Sequence, residues 1–236
     1  MLLSSCLLVA YAQPAPPLLV AAASDLIDVQ DALVKGFKAQ SGIEIRFTFG
    51  ASGALAQQVK SGAPYDLFLS ADQARVKDVV IPDTETVYAQ GRIALWSKTG
   101  KITTLTELLG PGILHVAIAN PAHAPYGVAA RQALERAGLW TRLAGKIVYG
   151  ESVRQALEYA EGGNADAVVT AWSLVINRGG ILLPTTLHDP IRQAAGVVRG
   201  SRNPDLGRAF LRFLVSPEGR ALLAKSGFDA PDITRP

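Results

Sequence analysis

The chain has 236 residues, 49% hydrophobic and 18% charged, enough apolar content for one large domain or two lobes and too much for a disordered chain. A net charge of +3, with no block of Lys or Arg, gives no support to a polyanion-binding surface or to nucleic acid as a partner. The single cysteine, Cys6, excludes a disulfide framework and a zinc-type Cys/His site.

The N-terminal stretch MLLSSCLLVAYAQPAPP carries an apolar run, then Ala10-Tyr11-Ala12 and a Pro-rich segment. It reads as a signal peptide over residues 1–12, cleaved after Ala12, which places the mature protein in the periplasm without cysteine. The run is too short to span a bilayer.

Strand-like and helical patterns then alternate. LLVAAAS (18–24) reads as a buried strand. In the following helix Leu26, Val29, Leu33 and Phe37 share one face, and Gly42 is the stop. EIRFTFG (44–50) alternates at period two. ALAQQVKSG forms a short helix, DLFLSA (66–71) a third strand and DQARVKDVV a third helix. This rhythm predicts a parallel sheet with helical crossovers. A long strand, TVYAQGRIALWSK (86–98), leads into a second round: strand HVAIANP, helix PYGVAARQALERAG, strand KIVYG, helix SVRQALEYAEGG and strand ADAVVTAWS. AGVVRGS (195–201) returns to the first unit, and two helices close the chain. The expected fold class is α/β, with lobe 1 from 13–88 and 197–236 and lobe 2 from 89–196.

Ligands of open α/β sheets sit at the carboxyl ends of strands, against helix N-termini. Four such turns stand out, ending AAAS, FGAS, APYG and GESV, with Ser24, Ser52, Tyr126 and Val153 at their helix starts. Helix starts offer unpaired N–H groups and the positive end of the dipole, so several aimed at one point form an anion site from neutral donors. Each turn alone reads equally well as ordinary helix initiation, with Ser24, Ser52 and Ser152 as N-caps.

Taken in order, AAASDL, FGASGALAQQV, GAPYDLFLSADQ, NPAHAPYG and GESVRQALEYAEGGNADA resemble the periplasmic molybdate-binding proteins of ABC transporters, a family of type II periplasmic binding proteins. The resemblance spans residues 18 to 228. It implies two α/β lobes joined by crossing strands, with molybdate, or tungstate, in the cleft. Molybdenum is then held as an oxyanion with no direct metal ligand and no cofactor, and the partner is an inner-membrane ABC permease. The chain is taken as a monomer. Carried over by motif, Ser24 and Ser52 would each give a hydroxyl and a backbone N–H, and Tyr126 and Val153 a backbone N–H only. Some members add a Tyr hydroxyl where this chain has Ala171, so the backbone N–H of Asp25 is a candidate replacement. The Asp25 carboxylate, in the first turn of a helix, is expected to point away and complement the dipole. The donor-only set suits a fully deprotonated anion. Sulfate or phosphate is the alternative ligand.

An enzyme is the remote alternative. FGASGA approaches the G-x-S-x-G nucleophile elbow, but position 54 is Ala. His115, His123 and His188 are scattered and read as surface or loop residues.

Overall fold

The computed structural model describes residues 16–231; the expected signal peptide lies outside them. In chain order the elements are β1 (Leu18–Ala23), α1 (Gln30–Ser41), β2 (Ile45–Gly50), α2 (Ser52–Lys60), β3 (Leu67–Ser70), β4 (Thr86–Gly91), β5 (Ile93–Trp96), β6 (Val116–Ala119), α3 (Pro125–Arg136), α4 (Trp140–Leu143), β7 (Ile147–Gly150), α5 (Val153–Glu161), β8 (Ala167–Ala171), α6 (Trp172–Val175), β9 (Ile181–Leu182), β10 (Ile191–Val197), α7 (Pro204–Leu214) and α8 (Pro217–Lys225).

Two five-stranded sheets result, ordered β2-β1-β3-β10-β4 and β7-β6-β8-β5-β9. Each has a parallel trio built by the strand–helix alternation. Each also takes one strand that runs against its trio, β10 in the first sheet and β5 in the second, and an edge strand, β4 or β9, antiparallel to that one. The sheets are therefore mixed, not parallel as expected, because the crossing strands enter against the direction of the trios.

The alternation of side chains along a strand sets the packing. On β1, Leu18, Val20 and Ala22 face a core with Leu33, Phe37 and Phe210, while Ala21 faces Leu55, Val59 and Phe68 on the other side. Both faces are covered, which is why this segment reads as continuously apolar. Leu26, Val29, Leu33 and Phe37 are all buried, as their spacing predicts. Gly42 ends α1 at φ 71°, its N–H bonded to the Lys38 carbonyl at 2.9 Å, a left-handed cap that glycine adopts without steric cost.

Two expectations fail here. DQARVKDVV is no α-helix: only Gln73–Arg75 form a 3-10 turn, started by the Asp72 side chain accepting from Ala74 N. Val80 then bridges to Val198, so pairing with the sheet overrides the local helical pattern. The segment 86–98 is also not one strand. β4 lies in the first sheet and β5 in the second, with Arg92 between them. The return crossing runs from β9 to β10, which begins at Ile191, four residues before the expected Ala195. By sheet membership the chain thus leaves the first sheet after Gly91 and re-enters it at Ile191, against expected boundaries of 89 and 196.

Arg92 ties the crossings together. Its guanidinium reaches the Leu183 carbonyl and forms a 3.0 Å ion pair with Asp229, and its backbone carbonyl accepts from Trp172 N. Among the described residues, no helix is long and apolar enough to cross a membrane.

Candidate functional site

The ends of β1, β2, β6 and β7 meet where the two lobes face each other. Ala23, Ser24, Asp25, Ala51, Ser52, Tyr126 and Val153 line one small cavity there, with a volume of about 10 Å³. That is the room of about one water molecule, far below the pockets of drug-sized organic ligands. A larger hollow at the far end of lobe 2, beside Lys98, Ile102, Glu107 and Asp166, includes none of these turns. The structure therefore brings together Ser24, Ser52, Tyr126, Val153 and Asp25 from turns up to 129 residues apart. Ala171 is fully buried at the end of β8, pairs with Ile93, and is absent from the cavity wall.

Simple capping does not account for the two serines. The N-cap position before the Ser24 turn is Ala23, and that before α2 is Ala51, with no side-chain cap at either. Ser24 Oγ is buried without a hydrogen-bond partner. Such an orphaned hydroxyl is uncommon in a folded protein and marks a group kept for something else. Ser52 Oγ, 1% exposed as a residue, accepts the Ala71 N–H at 3.0 Å. An oxygen that accepts from the protein leaves its own proton free to donate. Ser152, by contrast, is a true N-cap: its Oγ accepts from Gln155 N at 3.2 Å. With that cap in place, Val153 opens α5 with an N–H that the helix itself cannot use. Tyr126 holds the equivalent place in α3, behind Pro125 at the first position. A Cβ on Gly127 would lie 2.1 Å from the Ala119 carbonyl, so the glycine lets the start of α3 sit against the end of β6.

The Asp25 carboxylate corrects the expectation that it points away. Asp25 is 1% exposed and lies at the centre of a polar cluster spanning both lobes. Its Oδ2 accepts from the Tyr126 hydroxyl at 2.9 Å and from Gln193 Nε2. Gln193 Oε1 in turn accepts from the Tyr88 hydroxyl at 2.8 Å, and the Asp25 carbonyl accepts from Ser173 Oγ at 2.8 Å. Burial pushes the Asp25 carboxyl up to about 6, against the downward pull of hydrogen bonds from Tyr126 and Gln193. Burial, then the charge of Asp25, pushes the Tyr126 and Tyr88 hydroxyls well above their usual range. The Tyr126 ring therefore has a structural role beyond its backbone. Room for its hydroxyl depends on Gly91, where a Cβ would fall 2.3 Å from it.

Sequence reasoning missed Gln193, Tyr88 and Ser173. They sit on the crossing strands and on α6, and no local motif marks residues whose partner is more than 60 positions away. Gly53 N donates to the His123 carbonyl of the opposite lobe at 2.9 Å, and a Cβ there would lie 2.9 Å from the same oxygen. His188 lies in a loop, as expected, but is buried in the return crossing, with Nδ1 2.7 Å from the Asp189 carbonyl. His123 and His115 are exposed.

Two α/β lobes facing each other across a small cavity have the architecture of a solute-binding protein. Residues 18–229 match the family described as bacterial extracellular solute-binding protein, and the chain belongs to it. It is 35% identical over 201 residues to the molybdate-binding protein ModA of Rhodobacter capsulatus, a match covering 81% of this chain and 80% of that protein. The periplasmic molybdate-binding protein of Azotobacter vinelandii superposes with a TM-score of 0.86 at 28% identity, covering 91% of this chain and all of that one. The sulfate-binding protein SubI of Mycobacterium tuberculosis shares the fold, with a TM-score of 0.76 at 18% identity, covering 93% of this chain and 88% of that one.

Proposed function

We propose that this protein captures molybdate, and tungstate, outside the cytoplasm and delivers it to an ABC permease in the inner membrane. The observation that carries the reading is the meeting of Ser24, Ser52, Tyr126 and Val153 on one small buried cavity between the lobes. Ser24 and Ser52 would give hydroxyl protons, and the helix starts at Ser52, Tyr126 and Val153 would give N–H groups. The likeness to proteins named for molybdate binding supports the choice of anion. The wall has no lysine or arginine. An anion held there is balanced by dipoles, which suits a cargo that must be released as well as held. Hinge motion about the crossings at Arg92 and before Ile191 would open and close the cleft. Export by the N-terminal leader belongs to the same reading.

The protein is proposed to catalyse no reaction. A serine nucleophile needs a base within hydrogen-bond reach. Ser52 Oγ instead meets the Ala71 N–H, and the Ser24 hydroxyl meets no side chain.

Thermal unfolding with molybdate, tungstate, sulfate and phosphate at equal concentrations tests the ligand. A ligand at a thousand times its Kd stabilises by about 4 kcal/mol. In a chain of this size that is a rise of roughly 8–16 °C. A large shift with molybdate and tungstate alone is expected. A shift with sulfate or phosphate alone keeps the fold and replaces the cargo.

A further inference from the structure

The carboxylate of Asp25 is divided in its environment. Oδ2 carries both side-chain donors, Tyr126 Oη–H and Gln193 Nε2–H, while Oδ1 is buried and receives no hydrogen bond from another residue. Asp25 is part of the cavity wall, beside Ser24 with its own orphaned hydroxyl. A dianion in this cavity would therefore sit next to a buried carboxylate, and two like charges out of water cannot both persist without a cation between them.

Among the described residues, no Lys, Arg or His lines the cavity or forms an ion pair with Asp25. The neighbours of Asp25 on the crossing strands and on α3 and α6 are Tyr88, Gln193, Tyr126 and Ser173, all neutral, with both tyrosines held above their usual range. Arg192, next to Gln193 on β10, lines a separate hollow with Asp72, Gln132 and Asp189 and is not part of the cavity wall. On α5, which also packs against the Ser24–Leu26 turn, Arg154 is taken up by Glu158 and Glu161, each at 3.1 Å. Beyond α6, Arg178 pairs with Asp28 at 2.9 Å. Arg75, near Gly53, pairs with Asp72 at 3.4 Å.

We propose that oxyanion binding is coupled to the uptake of one proton by Asp25: as the dianion enters, a proton from solvent is taken at Oδ1, and the resulting carboxylic O–H donates to the anion. The proton returns to solvent when the anion leaves. A carboxylic acid kept neutral by its surroundings is an effective donor to an oxyanion. It would supply the side-chain donor that Ala171 lacks. Oδ2 keeps its hydrogen bonds from Tyr126 and Gln193 in either state, so the inter-lobe clasp survives the change. The raised titration of the free site fits a group already close to holding a proton.

The proposal rests on the oxyanion reading, and calorimetry separates the two. Molybdate is titrated into the protein in two buffers of different ionisation enthalpy, at pH 5.5 and pH 8, and Kd is followed between these limits. At pH 8 the protein should take up close to one proton per anion, and at pH 5.5 much less, because Asp25 is then already protonated. Over the upper part of the range Kd should weaken by about tenfold per pH unit, the slope for one linked proton. Asp25→Asn keeps an acceptor for Tyr126 and a donor for the cavity but cannot titrate. It should bind without proton uptake, with a flat pH profile, and more tightly than the wild type at pH 8. Should Asp25→Asn fail to bind, the wild-type proton count still decides. Wild-type binding with no proton uptake and a flat profile overturns the proposal alone, as does an unchanged slope in Asp25→Asn. No binding of molybdate at any pH overturns the oxyanion reading itself.

Discussion

The Tyr126 hydroxyl donates to Asp25 Oδ2 at 2.9 Å, linking the first turn of α3 in one lobe to the end of β1 in the other, 101 residues away in sequence. Both residues belong to the cavity wall, so the contact that joins the lobes and the contacts proposed for the cargo are made by the same two turns. Tyr126→Phe removes only that hydroxyl. Affinity for molybdate should fall by about 1.5 kcal/mol, roughly tenfold, by titration calorimetry. Unchanged affinity would reduce Tyr126 to its backbone N–H.

The two serines should separate in their effects. Ser24→Ala deletes a buried hydroxyl with no protein partner, so the unfolding midpoint without ligand should hold or rise. Ser52→Ala also strands the Ala71 N–H and should lower the unliganded stability by about 1–3 kcal/mol. Both should weaken molybdate binding by about 1.5–3 kcal/mol. Wild-type affinity in both variants would sink the site assignment.

Gly53→Ala should uncouple folding from closure. Alanine within α2 favours the helix by about 0.5–1 kcal/mol. Its Cβ would nevertheless press on the His123 carbonyl of the opposite lobe at 2.9 Å. Overpacking of this kind costs about 1–3 kcal/mol, so affinity should drop roughly tenfold or more while chemical denaturation without ligand shows an intact fold. Wild-type binding by this variant would mean that the Gly53–His123 contact plays no part in holding the cargo.

Asp25 also leaves a signature in the protein without ligand. Its carboxyl is raised from 3.8 to about 6, so the folded state binds more protons than the unfolded one between those limits. Stability from this group is therefore fully present below about pH 4 and lost as pH rises through 6, the reverse of a salt-bridged aspartate. A shift of about two units corresponds to about 3 kcal/mol. Asp25→Asn should be more stable than the wild type by up to that amount at pH 7–8, with the gain vanishing near pH 4. Glu44, Glu107, Asp166 and Asp189 are all shifted downward, but they are common to both proteins and cancel in the difference. A flat difference in urea denaturation between pH 4 and 8 would contradict the raised titration.

Much of the fold was legible because local chemistry and tertiary packing agree. Leu26, Val29, Leu33 and Phe37 form one buried face, and Gly42 and Gly138 take the positive φ that ends their helices. The four turns could be found because a strand-to-helix junction has a local signature. The split of residues 86–98 between two sheets was hidden. Both halves are apolar and extended, and the change at Arg92 is decided by partners nearly 80 to 100 residues away on β8 and β10. Reading Ser24 and Ser52 as caps erred by one position. Alanine holds the cap in both, so neither hydroxyl is used in capping. The fate of the Asp25 carboxylate depended on Gln193 and Tyr126, which no window of local sequence contains.

The place of β10 in the first sheet has a consequence for how the chain becomes a protein. β10 lies between β3 and β4, yet it is the last strand made. The first lobe cannot close its sheet until residues 191–197 arrive, and α7 and α8 follow later still. The second lobe draws all five of its strands from one continuous stretch, β5 to β9. Long-range pairing of this kind forms late, since loop closure must precede the contacts that reward it. A chain emerging N-terminus first can therefore finish its inserted lobe while β1 to β4 still wait with an unfilled gap in their sheet. During that interval β3 and β4 expose edges able to pair with other chains, which makes the first lobe the part most in need of a chaperone.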